Sequence, residues 1–119
     1  MDWAVKGTLE FDAWYGALTE PERKSVIRGV HLLERFGPRL RHPYCSRVFS
    51  SRHANMRELR IQHEGRPYRV LYAFDPRRTA VLLLGGDKTG DDRWYEKNVP
   101  IADRLLDEHL NELGKEDRV

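Results

Sequence analysis

The chain has 119 residues, 34% of them charged and 39% hydrophobic, with a formal net charge of +2. At 14.0 kDa and a mean hydropathy of −0.72 it is expected to form one small soluble domain over residues 1–119, which excludes a disordered chain. The longest apolar run, Ala80 to Leu84, is far too short to span a membrane, and the single cysteine, Cys45, excludes an internal disulfide framework and a cysteine-based zinc site.

Met1 to Lys6 lacks a basic stretch followed by an apolar one, so no secretory signal is expected and the cytoplasm is the expected location. Trp3 and Val5 alternate with Ala4 and Lys6, the pattern of a short opening strand. Phe11, Trp14, Tyr15 and Leu18 then fall at helical spacing. Thr19-Glu20-Pro21-Glu22 is a capping box with proline just inside it, so a second helix starts there. Val26, Ile27, Val30 and Leu33 form its apolar stripe, and Gly37-Pro38 stops it near Phe36. The two helices form a hairpin whose stripes need a sheet to cover.

Strands follow. One is expected around Arg47-Val48-Phe49, and Arg57 to Gln62 alternates, with Leu59 and Ile61 on one face and Glu58 and Arg60 on the other. Glu64-Gly65-Arg66 is a turn, after which Tyr68, Val70, Tyr72 and Phe74 alternate with Arg69, Leu71 and Ala73. Asp75-Pro76-Arg77-Arg78 has type I turn chemistry, and Thr79 to Leu84 is apolar on both faces, as a central strand covered twice would be. Such short turns make the pairing antiparallel. Ile101, Ala102, Leu105, Leu106, His109, Leu110 and Leu113 predict a C-terminal helix with Gly114 as its cap. Asp92 is a candidate N-cap for an earlier turn, and Pro100 either kinks the helix or divides it in two. The expected fold is α+β, with a short N-terminal strand, a two-helix hairpin, an antiparallel four- to five-stranded sheet and a C-terminal helix.

Charge is distributed unevenly. Residues 39–78 carry 10 basic side chains, all arginine, against Glu58, Glu64 and Asp75, whereas residues 86–119 carry 6 basic and 10 acidic ones. Guanidinium keeps its charge and forks onto phosphate, so this block points to an anionic partner; a solvated surface rich in arginine is the alternative.

Met56-Arg57-Glu58-Leu59-Arg60-Ile61, Tyr68-Arg69-Val70-Leu71-Tyr72, Gly86-Asp87-Lys88-Thr89 and Asp91 to Lys97 follow one another in an order that resembles the RelE/ParE toxin superfamily, and its HigB branch most. The resemblance spans nearly the whole chain. It implies a toxin of a type II toxin–antitoxin pair, a metal-independent endoribonuclease without cofactors that cuts mRNA on the ribosome. It also implies a cognate antitoxin, HigA-like with a helix-turn-helix domain, and no membrane partner. The family's catalytic positions fall on Arg60, Arg69, Lys88 and Tyr95; from the chemistry of its side chain rather than from the resemblance, His53 is a further catalytic candidate. Arg52, Arg57, Arg66 and Trp94 are the residues expected to bind RNA. The chain departs from the pattern at Phe49-Ser50-Ser51-Arg52, where many relatives have Leu-Lys-Gly-Ser, and at Glu58, where some RelE enzymes carry a catalytic lysine. ParE relatives share the fold but bind DNA gyrase, which is the alternative function.

The chemistry of metal-free RNA cleavage fits these residue types. Driving a 2′-hydroxyl onto its neighbouring phosphate needs a base, a cation beside the crowded phosphate and a proton for the leaving oxygen. By strand parity Arg60 and Arg69 share a face, giving two forked donors for one phosphate. Arg69 has a second reading, a cross-strand salt bridge with Glu58. Tyr95 is either a proton carrier or a packing residue, and Trp94 either a base-stacking platform or a core anchor. His53 and His63 are candidate bases or acids by residue type, while His31 and His109 are expected to be structural. Gly85-Gly86-Asp87-Lys88-Thr89 lacks the leading glycine of a phosphate loop, and Asp87, Asp91 and Asp92 are better explained by turns and caps than by a magnesium site.

Overall fold

The computed structural model describes residues 2–116. A five-stranded sheet forms the middle layer, with a helical hairpin on one face and a single long helix on the other. Strand β1 (Val5–Gly7) leads into α1 (Leu9–Ala17), whose N-cap Thr8 accepts from the Phe11 amide at 3.0 Å and donates to the Leu83 carbonyl at 2.7 Å. The Thr19 capping box opens α2 (Glu20–Phe36), with Glu22 accepting from the Thr19 amide at 2.8 Å. Val26, Gly29, Val30 and Leu33 are its buried residues; Ile27 is only half-buried, one step off the stripe.

Strands β2 (Cys45–Arg47), β3 (Arg57–His63), β4 (Arg66–Phe74) and β5 (Ala80–Asp87) complete the sheet in the order β1-β5-β4-β3-β2. The expected antiparallel pairing holds from β2 to β5, but β1 runs parallel to β5. The α1–α2 hairpin between β1 and the later strands supplies the crossover that a parallel pair requires. β2 ends at Arg47, two residues short of the expected Phe49, which is 82% exposed. The β3–β4 turn is the two-residue Glu64-Gly65, both with positive φ (50° and 78°), as a tight hairpin demands.

The sheet divides the apolar residues by strand parity into two cores. Leu59, Ile61, Tyr68, Val70, Tyr72 and Leu82 pack under the hairpin, and Met56, Leu71, Ala73, Val81 and Leu83 pack under α3 (Trp94–Glu116). The two-sided burial of β5 is what its continuous apolar run predicts. α3 is one helix, passing through both Pro100 and Gly114. Val99, Ala102, Leu105 and Leu106 anchor both sides of the proline to the sheet, which offsets the one backbone bond it removes. At its start Asp91, rather than Asp92, accepts from the Arg93 amide at 3.1 Å. Among the described residues no helix is long and apolar enough to cross a membrane.

Candidate active site

The β3–β4 register sets Arg60 directly opposite Arg69, and Glu58 opposite Leu71. Glu58 and Arg69 are therefore diagonal neighbours on the face beneath α3, within reach of each other. A register shift between Leu71 and Tyr72 lets β5 accommodate an extra residue, and its end then presents Gly85 to Trp14 and Gly86 to Trp94. With Trp94 seated on bare backbone, the next residue, Tyr95, lies over the Glu58–Arg69 diagonal.

Three side chains meet there. Arg69 Nε lies 2.9 Å from Glu58 Oε1, and the Tyr95 hydroxyl donates to that same oxygen at 2.6 Å. Both charged residues are buried, Arg69 to 4% exposure and Glu58 to 6%. The guanidinium is held from behind by its Nη1 bond to the Tyr68 carbonyl at 3.0 Å. Its Nε–H is not aimed along the short line to Glu58, so the pair is close in charge but leaves that donor without an aligned acceptor. Burial first, and then the bond to Glu58, hold the Tyr95 phenol above its ordinary value, against the opposing pull of Arg69. Tyr95 is thus kept protonated, as a donor. The Lys88 ammonium stands 5.6 Å from the centre of the Tyr95 ring.

Arg60 is half-buried and, among the described residues, has no carboxylate within ion-pair distance. Its strand register sets it beside Arg69, while the shallow cleft it lines is formed with Tyr44 and with Ser25, Arg28, Gly29 and Leu32 of α2, toward the hairpin side. The site therefore joins Glu58, Arg69 and Tyr95 tightly, with Lys88 and Arg60 at its margins.

The other expected residues lie elsewhere. His53 Nε2 is 2.8 Å from Asp107 Oδ1, and Arg52 pairs with the other oxygen of that carboxylate. Asp107 is about 18 Å along α3 from Tyr95 at ~1.5 Å per residue, so both side chains pin the 48–56 loop to the far part of the helix. Arg57 has the parity of Leu59 and shares a groove with Leu40, Arg41 and Cys45, on the face opposite Arg60. Arg66 pairs with Asp87 at 3.2 Å and Glu22 at 3.7 Å on the hairpin side, its guanidinium over the Tyr68 ring. Trp94, 4% exposed, is a core residue with no free ring face to offer a base. His63 is bonded to Ser25 at 2.7 Å and His109 to Asp75 at 2.8 Å, both away from the cluster. Among the described residues no three His, Cys, Asp or Glu side chains are grouped to hold a metal ion.

Glu58 is the residue that sequence reasoning undervalued. It was available as a salt-bridge partner of Arg69 by strand parity, but its role as acceptor for Tyr95 depends on where α3 crosses the sheet, which no local pattern reports.

Residues 13–107 match the family described as Phage derived protein Gp49-like (DUF891). The chain is 46% identical over 102 residues to the "Putative toxin HigB3" of Mycobacterium tuberculosis, covering 85% of this chain and 88% of that protein. The chain belongs to the Gp49-like family of RelE/HigB-type toxins. A second relative of this toxin, "Putative toxin HigB2" of the same organism, is 40% identical over 100 residues, covering 82% of this chain but 50% of that protein. The toxin's fold is also that of an archaeal RelE in its RelE–RelB complex from Pyrococcus horikoshii, at a TM-score of 0.56 and 15% identity, covering 76% of this chain and 99% of the other. The free E. coli toxin RelE, with two arginines replaced by alanine, superposes at a TM-score of 0.56 and 11% identity, covering 81% and 94% of the respective chains. Such distant likenesses establish the toxin's architecture, and the chemistry must be argued from its own residues.

Proposed function

We propose that this toxin is a metal-independent endoribonuclease that cuts mRNA during translation. The observation that carries the reading is the convergence of Arg69, Glu58 and the Tyr95 hydroxyl on one side of the β3–β4 ladder, with Arg60 across the strand and Lys88 beside the ring. A carboxylate, a phenol kept protonated and a cluster of cations are the three parts that phosphodiester transesterification asks for.

In this reading the RNA phosphate accepts from the unaligned Arg69 Nε–H while Arg60 grips a second oxygen. Glu58 takes the proton of the 2′-hydroxyl as its oxygen bonds to phosphorus. The bond from phosphorus to the 5′-oxygen breaks, and Tyr95 supplies the proton that the leaving oxygen needs. The products are a 2′,3′-cyclic phosphate and a 5′-hydroxyl. At rest Glu58 occupies the guanidinium, so substrate must displace an internal carboxylate before chemistry begins. Because such toxins must be held in check, the partner is a cognate antitoxin, as RelB is for the archaeal RelE, here HigA-like with a helix-turn-helix domain, covering the basic face.

The test is a translation reaction containing ribosomes, read by primer extension. New 5′ ends in the mRNA that disappear with Arg60→Ala and with Tyr95→Phe support the reading. Intact mRNA, together with inhibition of gyrase supercoiling, would replace it with a gyrase-binding function. Arg60 is preferred to Arg69 as the probe because it is in no ion pair that the fold depends on.

A further inference from the structure

We propose that the free edge of the sheet at β2 carries a second anion-binding surface, centred on Arg41, Arg47, Arg57 and Phe49, that holds single-stranded RNA outside the Glu58–Arg69–Tyr95 site. Its ligand class rests on the RNA-cleaving reading, whereas its position rests on geometry of its own.

Arg47 and Arg57 are directly opposed partners in the antiparallel β2–β3 ladder. Like charges so placed repel, and the arrangement weakens the sheet where β2 is only three residues long. Several other arginines of the block are neutralised internally, Arg52 on Asp107, Arg66 on Glu22 and Asp87, Arg69 on Glu58 and Arg77 on Glu116. Among the described residues, no carboxylate lies within ion-pair distance of Arg41, Arg47 or Arg57. Arg41 and Arg57 line a single groove beside β2. Two cations facing each other across an edge, with a third next to them, form a surface lacking its counter-ion.

Phe49 identifies the kind of anion. It is 82% exposed, and the Arg47 guanidinium lies 5.0 Å from its ring centre. The core makes no use of this ring, whose uncovered face is a platform for an unstacked base, while the flanking guanidiniums suit phosphates. An acidic peptide would engage the charges but gain little from the ring. A duplex keeps its bases stacked and out of reach, so a single strand is the occupant. Trp94, for which the sequence left base stacking and core anchoring open, is buried, and Phe49 takes the stacking part.

The experiment is fluorescence anisotropy with the full chain and a labelled, 2′-O-methyl single-stranded RNA of about 12 nucleotides, which binds but offers no 2′-hydroxyl for cleavage. Arg41→Glu combined with Arg57→Glu should weaken binding by at least tenfold and flatten the dependence of log K on log salt by about 1.4, at ~0.7 for each phosphate no longer neutralised. Phe49→Ala should weaken binding by roughly 5- to 150-fold. Thermal melting should not fall in any of these variants, since none of these side chains supports the core and Arg57→Glu replaces a repulsive partner of Arg47 with an attractive one. Wild-type binding and salt slope in the double variant would overturn the proposal. So would equal binding of RNA and polyglutamate, both indifferent to Phe49→Ala, which would assign the surface to an acidic partner. If these residues bind RNA but mRNA stays intact in translation, the cleavage reading fails and the surface stands. If edge variants bind and cut like wild type while Tyr95→Phe does not cut, the surface fails and the cleavage reading stands.

Discussion

The Tyr95 hydroxyl donates to Glu58 Oε1 across 2.6 Å, tying the first turn of α3 to the second residue of β3. That bond closes the site from above while Arg69 closes it from the side. Removing the hydroxyl alone separates chemistry from packing. Tyr95→Phe keeps the ring and its contact with Trp94, but strips the proton source and one partner of a buried carboxylate. Single-turnover cleavage should fall by roughly 10²–10⁴, the usual worth of a positioned acid or base. Cleavage at the wild-type rate in a folded Tyr95→Phe protein would remove Tyr95 from the mechanism.

The Glu58–Arg69 pair should behave as a unit. Each charge is buried, with side-chain exposures of 7% and 5%, so deleting one strands the other in an apolar setting. Glu58→Ala or Arg69→Ala alone should cost about 3–5 kcal/mol of folding stability. The double variant should cost clearly less than their sum, because neither charge is then left uncompensated. Urea denaturation of the four proteins gives the cycle. Additive losses would show that the two residues are held by separate interactions.

Much of the scaffold was legible because its signals are local. The Thr19 capping box, the Glu64-Gly65 hairpin and the two-sided apolar run of β5 each specify their own geometry. Strand parity likewise placed Arg60 and Arg69 on one face, and the same parity places Arg57 on the other, away from the Glu58–Arg69–Tyr95 cluster. What sequence could not supply was the crossing of α3. Pro100 is a helix breaker by propensity, yet packing on both sides of it keeps α3 continuous. The position of that helix decides which aromatic reaches Glu58, and it decides that Asp107 holds His53 far from the cluster.

Gly86 provides a way to move α3 without touching the reacting groups. A Cβ there would come within 2.6 Å of Trp94 Nε1, so Gly86→Ala must push the indole, and Tyr95 with it, off the sheet. Overpacking of this kind costs about 1–3 kcal/mol. Cleavage should fall by roughly 10²-fold, as a displacement near 1 Å costs a positioned group. Gly85→Ala collides with Trp14 on the opposite face and should destabilise the fold to a similar degree. Its effect on cleavage per folded molecule should be small. Equal loss of activity in the two variants, once corrected for folded fraction, would deny that the start of α3 sets the site.

The hairpin side contains a pH-sensitive contact independent of the active site. The Tyr68 hydroxyl donates to Glu22, and that bond first, followed by those from Thr19, lowers the Glu22 carboxyl from 4.5 to about 2. Burial first, and then the same bond, raises the Tyr68 phenol from 10.0 to about 12. A depressed carboxylate stabilises the fold above its unfolded value, and that contribution drains away as pH falls from about 4.5 through about 2. A raised phenol has the opposite sense, stabilising fully below pH 10.0 and losing its contribution as pH rises through about 12. Tyr68→Phe removes the donor and the titrating group together. Denaturation midpoints should therefore show a shallower acid decline for the variant than for wild type between those limits, reduced rather than abolished because the Thr19 amide still donates to the Glu22 carboxylate. Above pH 10.0 the variant should lose the alkaline decline that the phenol causes in wild type. Parallel wild-type and variant curves across both windows would mean that the Tyr68–Glu22 bond does not form in solution.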